Sequence, residues 1–220
     1  MTTWVTTPAE GNRLYSGVSL RLLDELTNQA PLGCVKALLD IQASDGTWRT
    51  TDIQDTRSPS SVVSYPWLER HAVVTGLQPQ QYRVRLTADY YIPYYQLNSD
   101  GIAFKAYPYN DANPPTQFAL IPSDTPLLPA TNYPFANYIP VLRGVVVDST
   151  RKLVANAYVT QGNTERALTD PSGNFALPLR WVQSGTTIPI DAADQRTGRS
   201  GSIDISFPTA ISRSQTISIS

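Results

Sequence analysis

Apolar residues two apart recur along most of the chain. Val145 and Val147, then Ala155, Ala157 and Val159, then Phe175, Leu177 and Leu179 form three such runs, the period expected of strands with one buried face. T-I-P-I-D-A, S-I-D-I-S-F and T-I-S-I-S continue the alternation to Ser220. In the N-terminal half Val18, Leu20 and Leu22 alternate, although Leu22, Leu23 and Leu26 also fit a short helical face. The run H-A-V-V-T-G-L-Q-P-Q-Q-Y-R-V-R-L predicts a strand with Tyr82, Val84 and Leu86 inward and Arg83 and Arg85 facing solvent or a partner.

Turn chemistry separates these runs. In T-D-P-S-G-N-F, Asp170 can accept a backbone hydrogen bond, Pro171 presets φ and Gly173 releases the chain, which together spell a type I turn. A-S-D-G-T-W-R-T predicts an Asp-Gly turn leading into an aromatic strand and echoes that motif, whereas R-S-P-S-S-V-V-S, Arg57 to Ser64, is expected as a loop. The run from Val18 to Ala37 repeats the layout of the run that starts at Val141: strand, acidic residue, polar turn, strand. That parallel decides the ambiguity at Leu22 to Leu26 in favour of strands. It makes the N-terminal half a diverged second copy.

R-G-V-V-V-D-S, V-A-N-A-Y-V and T-D-P-S-G-N-F, in that order, resemble the carboxypeptidase regulatory-like domain, a small transthyretin-like β-sandwich. The likeness covers roughly residues 141–220 and is strongest before Trp181. G-L-Q-P-Q-Q-Y-R-V-R-L resembles the turn and strand of the same modules, with Gln80 where their pattern has glycine. The resemblance implies a non-catalytic sandwich used for packing, display or adhesion, and it names no partner.

Between Tyr90 and Pro140 the chain changes character. It carries D-Y-Y-I-P-Y-Y, then N-S-D-G-I-A-F-K-A-Y-P-Y, and eight of its 18 prolines fall between Pro108 and Pro140. Proline removes a ladder donor, so this density predicts a linker or long ordered loops, with 98–107 an alternative hairpin. The expected organisation is all-β: an arm over 1–16, a sandwich over 17–97, a Pro/Tyr-rich segment over 98–140 and a second sandwich over 141–220.

Composition adds exclusions more than leads. A net charge of −1 suggests neither nucleic acid nor an anionic membrane as partner. The opening M-T-T-W-V-T-T-P-A-E-G-N-R has no signal-peptide pattern, so synthesis in a cytoplasm without export through a leader is expected. His71 and Cys34 are the sole His and Cys, too few for an ordinary zinc site or a credible triad, and Cys34 is expected as a small core side chain. Asp24 and Glu25 adjoin, so their side chains should point apart and form no acid–base couple. D-P-S-G-N and S-D-G lack the acidic positions of a calcium loop and are read as turns, so no cofactor is expected.

The surface-function lead is aromatic: Tyr90, Tyr91, Tyr94, Tyr95, Tyr107, Tyr109, Tyr133, Phe135 and Tyr138. Such rings can anchor a protein interface, stack on sugars, or fill the junction between two small domains. The function expected is a non-enzymatic assembly protein held by contacts with other subunits, identical or different. A virion or phage-tail-like particle, built in the cytoplasm and working outside, reconciles a display-type fold with the absent leader. The alternative is a carbohydrate-binding or adhesion module using the tyrosines.

Overall fold

Inward-facing Leu20 and Leu22, Leu39, Val63, Val84 and Leu86 meet between two layers and are almost wholly shielded from water. That is how alternating strands bury their apolar face. The computed structural model describes residues 16–66, 68, 79–95, 100–107 and 121–220. The expected arm therefore lies outside the described residues except for Ser16, as do His71 and Tyr109.

The first sandwich pairs two sheets. One contains β1 (Ser19–Asp24), β4 (Thr56–Arg57), β5 (Val62–Ser64), β7 (Tyr91–Pro93) and β9 (Ser123–Pro129), in the order β4-β5-β1-β9-β7. The other orders β2 (Val35–Gln42), β3 (Trp48–Thr50), β6 (Gln80–Ala88) and β8 (Ile102–Ala106) as β3-β2-β6-β8. The second sandwich starts at β10 (Val141–Asp148). This strand lies between β13 (Asn174–Pro178) and β16 (Gln215–Ile219), and the sheet packs on β11 (Tyr158–Gln161), β12 (Glu165–Leu168), β14 (Thr187–Asp194) and β15 (Arg199–Ser206), ordered β12-β11-β14-β15. The protein is all-β.

The two sandwiches share one topology. β1 is antiparallel to β5 and parallel to β9, just as β10 is antiparallel to β13 and parallel to β16. In the facing sheets, β3-β2-β6-β8 and β12-β11-β14-β15 are antiparallel at every step. Local bonds match as well: Leu22 donates to the carbonyl of Ser61 as Val146 donates to that of Gly173.

That match relocates one expected correspondence. The counterpart of the Asp170–Asn174 turn is Ser58–Val62, expected as a loop, and not the Asp45–Gly46 turn. Ser58 N–H bonds the Val62 carbonyl as Asp170 N–H bonds that of Asn174, and the serine hydroxyl replaces the aspartate as acceptor for the closing N–H. Asp45–Gly46 instead joins β2 to β3, the place that Gly162 holds between β11 and β12.

The stretch 98–140, expected as linker or loops with 98–107 an alternative hairpin, supplies two strands to the first sandwich. β8 pairs with β6, and β9 lies between β1 and β7. β9 accommodates its prolines because each falls at the margin of a ladder. Pro126 lies beyond the three positions that pair with β7, and Pro129 is the last residue of the strand. Cys34 is exposed, not in the core, because Val35 takes the inward position at the start of β2.

Candidate functional site

Three consecutive residues at the end of β1 organise the junction between the sandwiches. Asp24 is 1% exposed; its Oδ1 accepts the Leu26 N–H at 2.8 Å, and its Oδ2 accepts the hydroxyls of Tyr133 at 2.7 Å and Tyr91 at 3.2 Å. Burial, reinforced by the nearby carboxylate, pushes the Tyr91 phenol up to about 12 and raises that of Tyr133, so both remain protonated donors at neutral pH. The Tyr91 oxygen also accepts the Leu32 N–H at 2.8 Å. The Tyr91 and Tyr133 rings pack edge to face with centroids 5.5 Å apart, and Phe135 packs tilted on Tyr133 at 4.8 Å.

Glu25 points the other way, as its adjacency to Asp24 predicts. Its Oε1 accepts Arg166 Nε at 2.7 Å across the junction. The carbonyl of Leu26 accepts Arg180 Nη1 at 2.7 Å. Arg180 also grips Glu165 through two bonds of 2.8 and 3.1 Å; Glu165 is 2% exposed, so this pair is buried on its acidic side. Arg166 lies over the Tyr94 ring at 5.2 Å, and Tyr94 packs on Tyr158 at 5.6 Å. Arg143 donates to the Thr131 carbonyl, and Arg196 pairs with Asp100 at the solvent edge.

The aromatic candidates thus divide. Tyr91 and Tyr133 are buried in the first sandwich, and Tyr90, Tyr95 and Phe135 pack half-buried against its core. The Tyr95 hydroxyl accepts the Leu86 N–H and donates to the Leu86 carbonyl. Tyr94 belongs to the junction, Tyr107 is half-buried after β8, and Tyr138 is 85% exposed. Sequence reasoning missed Glu165, Arg166 and Arg180, whose partners lie more than a hundred residues away or on another strand. Trp181, 73% exposed beside Arg180, was also missed.

Next to Tyr94 and Tyr95 a cleft of about 600 Å³ opens between β8 and β9, lined also by Ile102, Asp124, Pro126 and Arg166. Among the described residues no cluster of three His, Cys, Asp or Glu is placed to hold a metal ion, and no helix is long and apolar enough to cross a membrane.

No family model matches the chain. No curated protein matches it either. Among solved structures, BcpA, the major pilin subunit of Bacillus cereus, is similar over 92% of this chain and 68% of its own, at 10% identity and a TM-score of 0.30. Superposition at that level leaves function to be argued from the chain itself.

Proposed function

We propose that the protein is a non-enzymatic building block in which two sandwiches are fastened into one stiff unit that binds other protein subunits. One observation carries this reading: the Asp24-Glu25-Leu26 corner engages both sandwiches at once, through Tyr91 and Tyr133 on one side and Arg166 and Arg180 on the other. Most of the described aromatic residues expected to recognise a ligand are committed to that framework. The likeness of residues 141–220 to carboxypeptidase regulatory-like modules accords with a packing or display role. The setting that fits best is a phage or phage-tail-like particle, as a tail, baseplate, neck or decoration subunit made in the cytoplasm and assembled there. Light scattering on the purified chain and mass spectrometry of particle fractions test this. Self-association together with presence in particles is expected; a strict monomer absent from every particle fraction overturns it.

A second reading, sugar binding, is favoured by the exposure of Tyr138 and Trp181. They lie two residues either side of the Leu179 N–H to Pro140 carbonyl bond that joins their segments. Glycan-array binding abolished by Tyr138→Ala and Trp181→Ala would establish it.

A further inference from the structure

Asp24 and Asp148 hold equivalent places in the two sandwiches. Each is the last residue of its strand, opposite Leu127 and Ile219 in the two parallel ladders. Each carboxylate accepts the N–H two residues on, from Leu26 at 2.8 Å and from Thr150 at 2.9 Å. Each carbonyl accepts the N–H of a residue at positive φ, Asn28 at +57° and Arg151 at +64°. The corner at 149–152 is therefore the second sandwich's counterpart of the corner that carries Glu25 and Leu26. β10 starts at Val141, opposite Pro178 and near the Arg180 of the junction, and runs away from it, so 149–152 lies at the far end of the second sandwich. All four of its residues are exposed.

The face that receives a corner is repeated too. Thr51 donates its N–H to the Leu39 carbonyl as Thr169 donates to that of Ala157. From that match, Trp48 opposite Gln42 stands where Arg166 stands opposite Thr160. Arg166 holds Glu25 and lies over the Tyr94 ring; Trp48 is half-buried, with the Arg83 guanidinium 4.6 Å over its ring. Glu25 also lines a cleft with Gly162, Asn163 and Thr164 of the β11–β12 turn, and the β2–β3 turn at that place exposes Ser44 and Asp45. The charges are exchanged between the two joints. Inside the chain an acidic corner, Glu25, meets a basic face, Arg166. The corner at 149–152 is basic, with Arg151 and Lys152, and the β2–β3 turn is acidic. Arg83 and Arg85 are engaged by Asp40, and Arg49 alternates to the other face of β3. We propose that the corner at 149–152 docks on the β2–β3 turn and Trp48 of a second copy, repeating between chains the joint found within one. The exchange of sign keeps the joints distinct, because Arg166 repels a basic corner. A contact between unlike ends is heterologous, so it propagates as an open file of chains rather than closing as a two-fold dimer.

This inference rests on the building-block reading and names its contact. The test uses full-length chains in a Cys34→Ser background, since Cys34 is exposed. A tagged Ser149→Cys chain is mixed with an untagged Ser44→Cys chain and oxidised; both serines are exposed. A disulfide between unlike chains is expected. In sedimentation, Arg151→Glu/Lys152→Glu, with an unchanged melting curve, should weaken self-association at least tenfold. Absence of that disulfide, or native-like association of the charge-reversed chain, overturns the proposal and leaves the building-block reading standing with another contact surface. A wild-type chain that stays monomeric also overturns the proposal, and it removes the building-block reading as well when the chain is missing from every particle fraction.

Discussion

Asp40 loses almost all contact with water yet keeps its charge, because three side chains from neighbouring strands converge on it. Arg83 Nη2 reaches Oδ2 at 2.7 Å, Arg85 binds both oxygens at 2.6 and 2.9 Å, and the Thr50 hydroxyl donates at 3.0 Å. Burial opposes ionisation, but the bonds from Arg85, Arg83 and Thr50 outweigh it and hold the carboxyl at about 2. A folded-state pKa below the unfolded value of 3.8 stabilises the fold above that value, and the stabilisation fades as pH falls towards 2. The shift corresponds to about 2 kcal/mol. Urea denaturation should therefore show stability dropping between pH 4 and pH 2, with the Asp40→Asn chain less stable at pH 7 and its curve flatter across that window. The period of two left Arg83 and Arg85 off the core face, and so they are. What it could not show is that an acid on β2, forty residues earlier, stands opposite Arg83 in the ladder and turns the two arginines into its cover. Tyr133→Phe gives a simpler case: losing one hydroxyl bond to buried Asp24 should cost about 1–3 kcal/mol by the same assay.

At the scale of elements, the paired turns at Ser58–Val62 and Asp170–Asn174 show how far pattern carries a reader. Both place their fourth residue at positive φ: +59° at Ser61 and +73° at Gly173. Glycine announces that conformation in the sequence, whereas serine conceals it, so one turn was legible and its twin passed for a loop. The same blindness affected residues 108–140, where proline density argued against strands and only the limits of the β7 and β9 ladders explain why Pro126 and Pro129 are tolerated. By contrast, alternation alone located the strands from Val141 to Ser220, because each has one buried face. The turns also yield opposite predictions. Ser61→Gly relieves a left-handed L-residue and should stabilise the chain by about 1 kcal/mol. Gly173→Ser should destabilise it by at least about 1 kcal/mol, because a Cβ there meets the Val146 carbonyl oxygen and Leu153 Cβ at 3.1 Å besides the φ penalty. Thermal melts of the two variants, read side by side, separate backbone strain from packing.

For the whole molecule, the question is whether two sandwiches with separate cores behave as one body. Each encloses its own apolar cluster, and none of the buried residues is shared. Coupling therefore falls to the contacts across the junction, the polar corner together with the Tyr94–Tyr158 ring pair, and these are not equal. Arg196–Asp100 is more than half-exposed and contributes little. Arg180 is different: it satisfies buried Glu165 within the second sandwich and a backbone carbonyl of the first. Arg180→Ala strands a buried carboxylate and severs one cross-junction bond, so a loss of about 3–5 kcal/mol in the second sandwich is expected. Arg166→Ala removes the Glu25 pair and the cover on Tyr94 while leaving both cores intact. If the corner is what unites the halves, native protein unfolds in one calorimetric transition. Arg166→Ala should then begin to separate it into two, and the double variant should complete the separation with a rise in small-angle scattering dimensions. A single transition retained in the double variant would place the coupling elsewhere and leave stiffness without its structural basis. The distinction matters for assembly, because a contact made by one sandwich can fix the orientation of the other only if the corner between them transmits it.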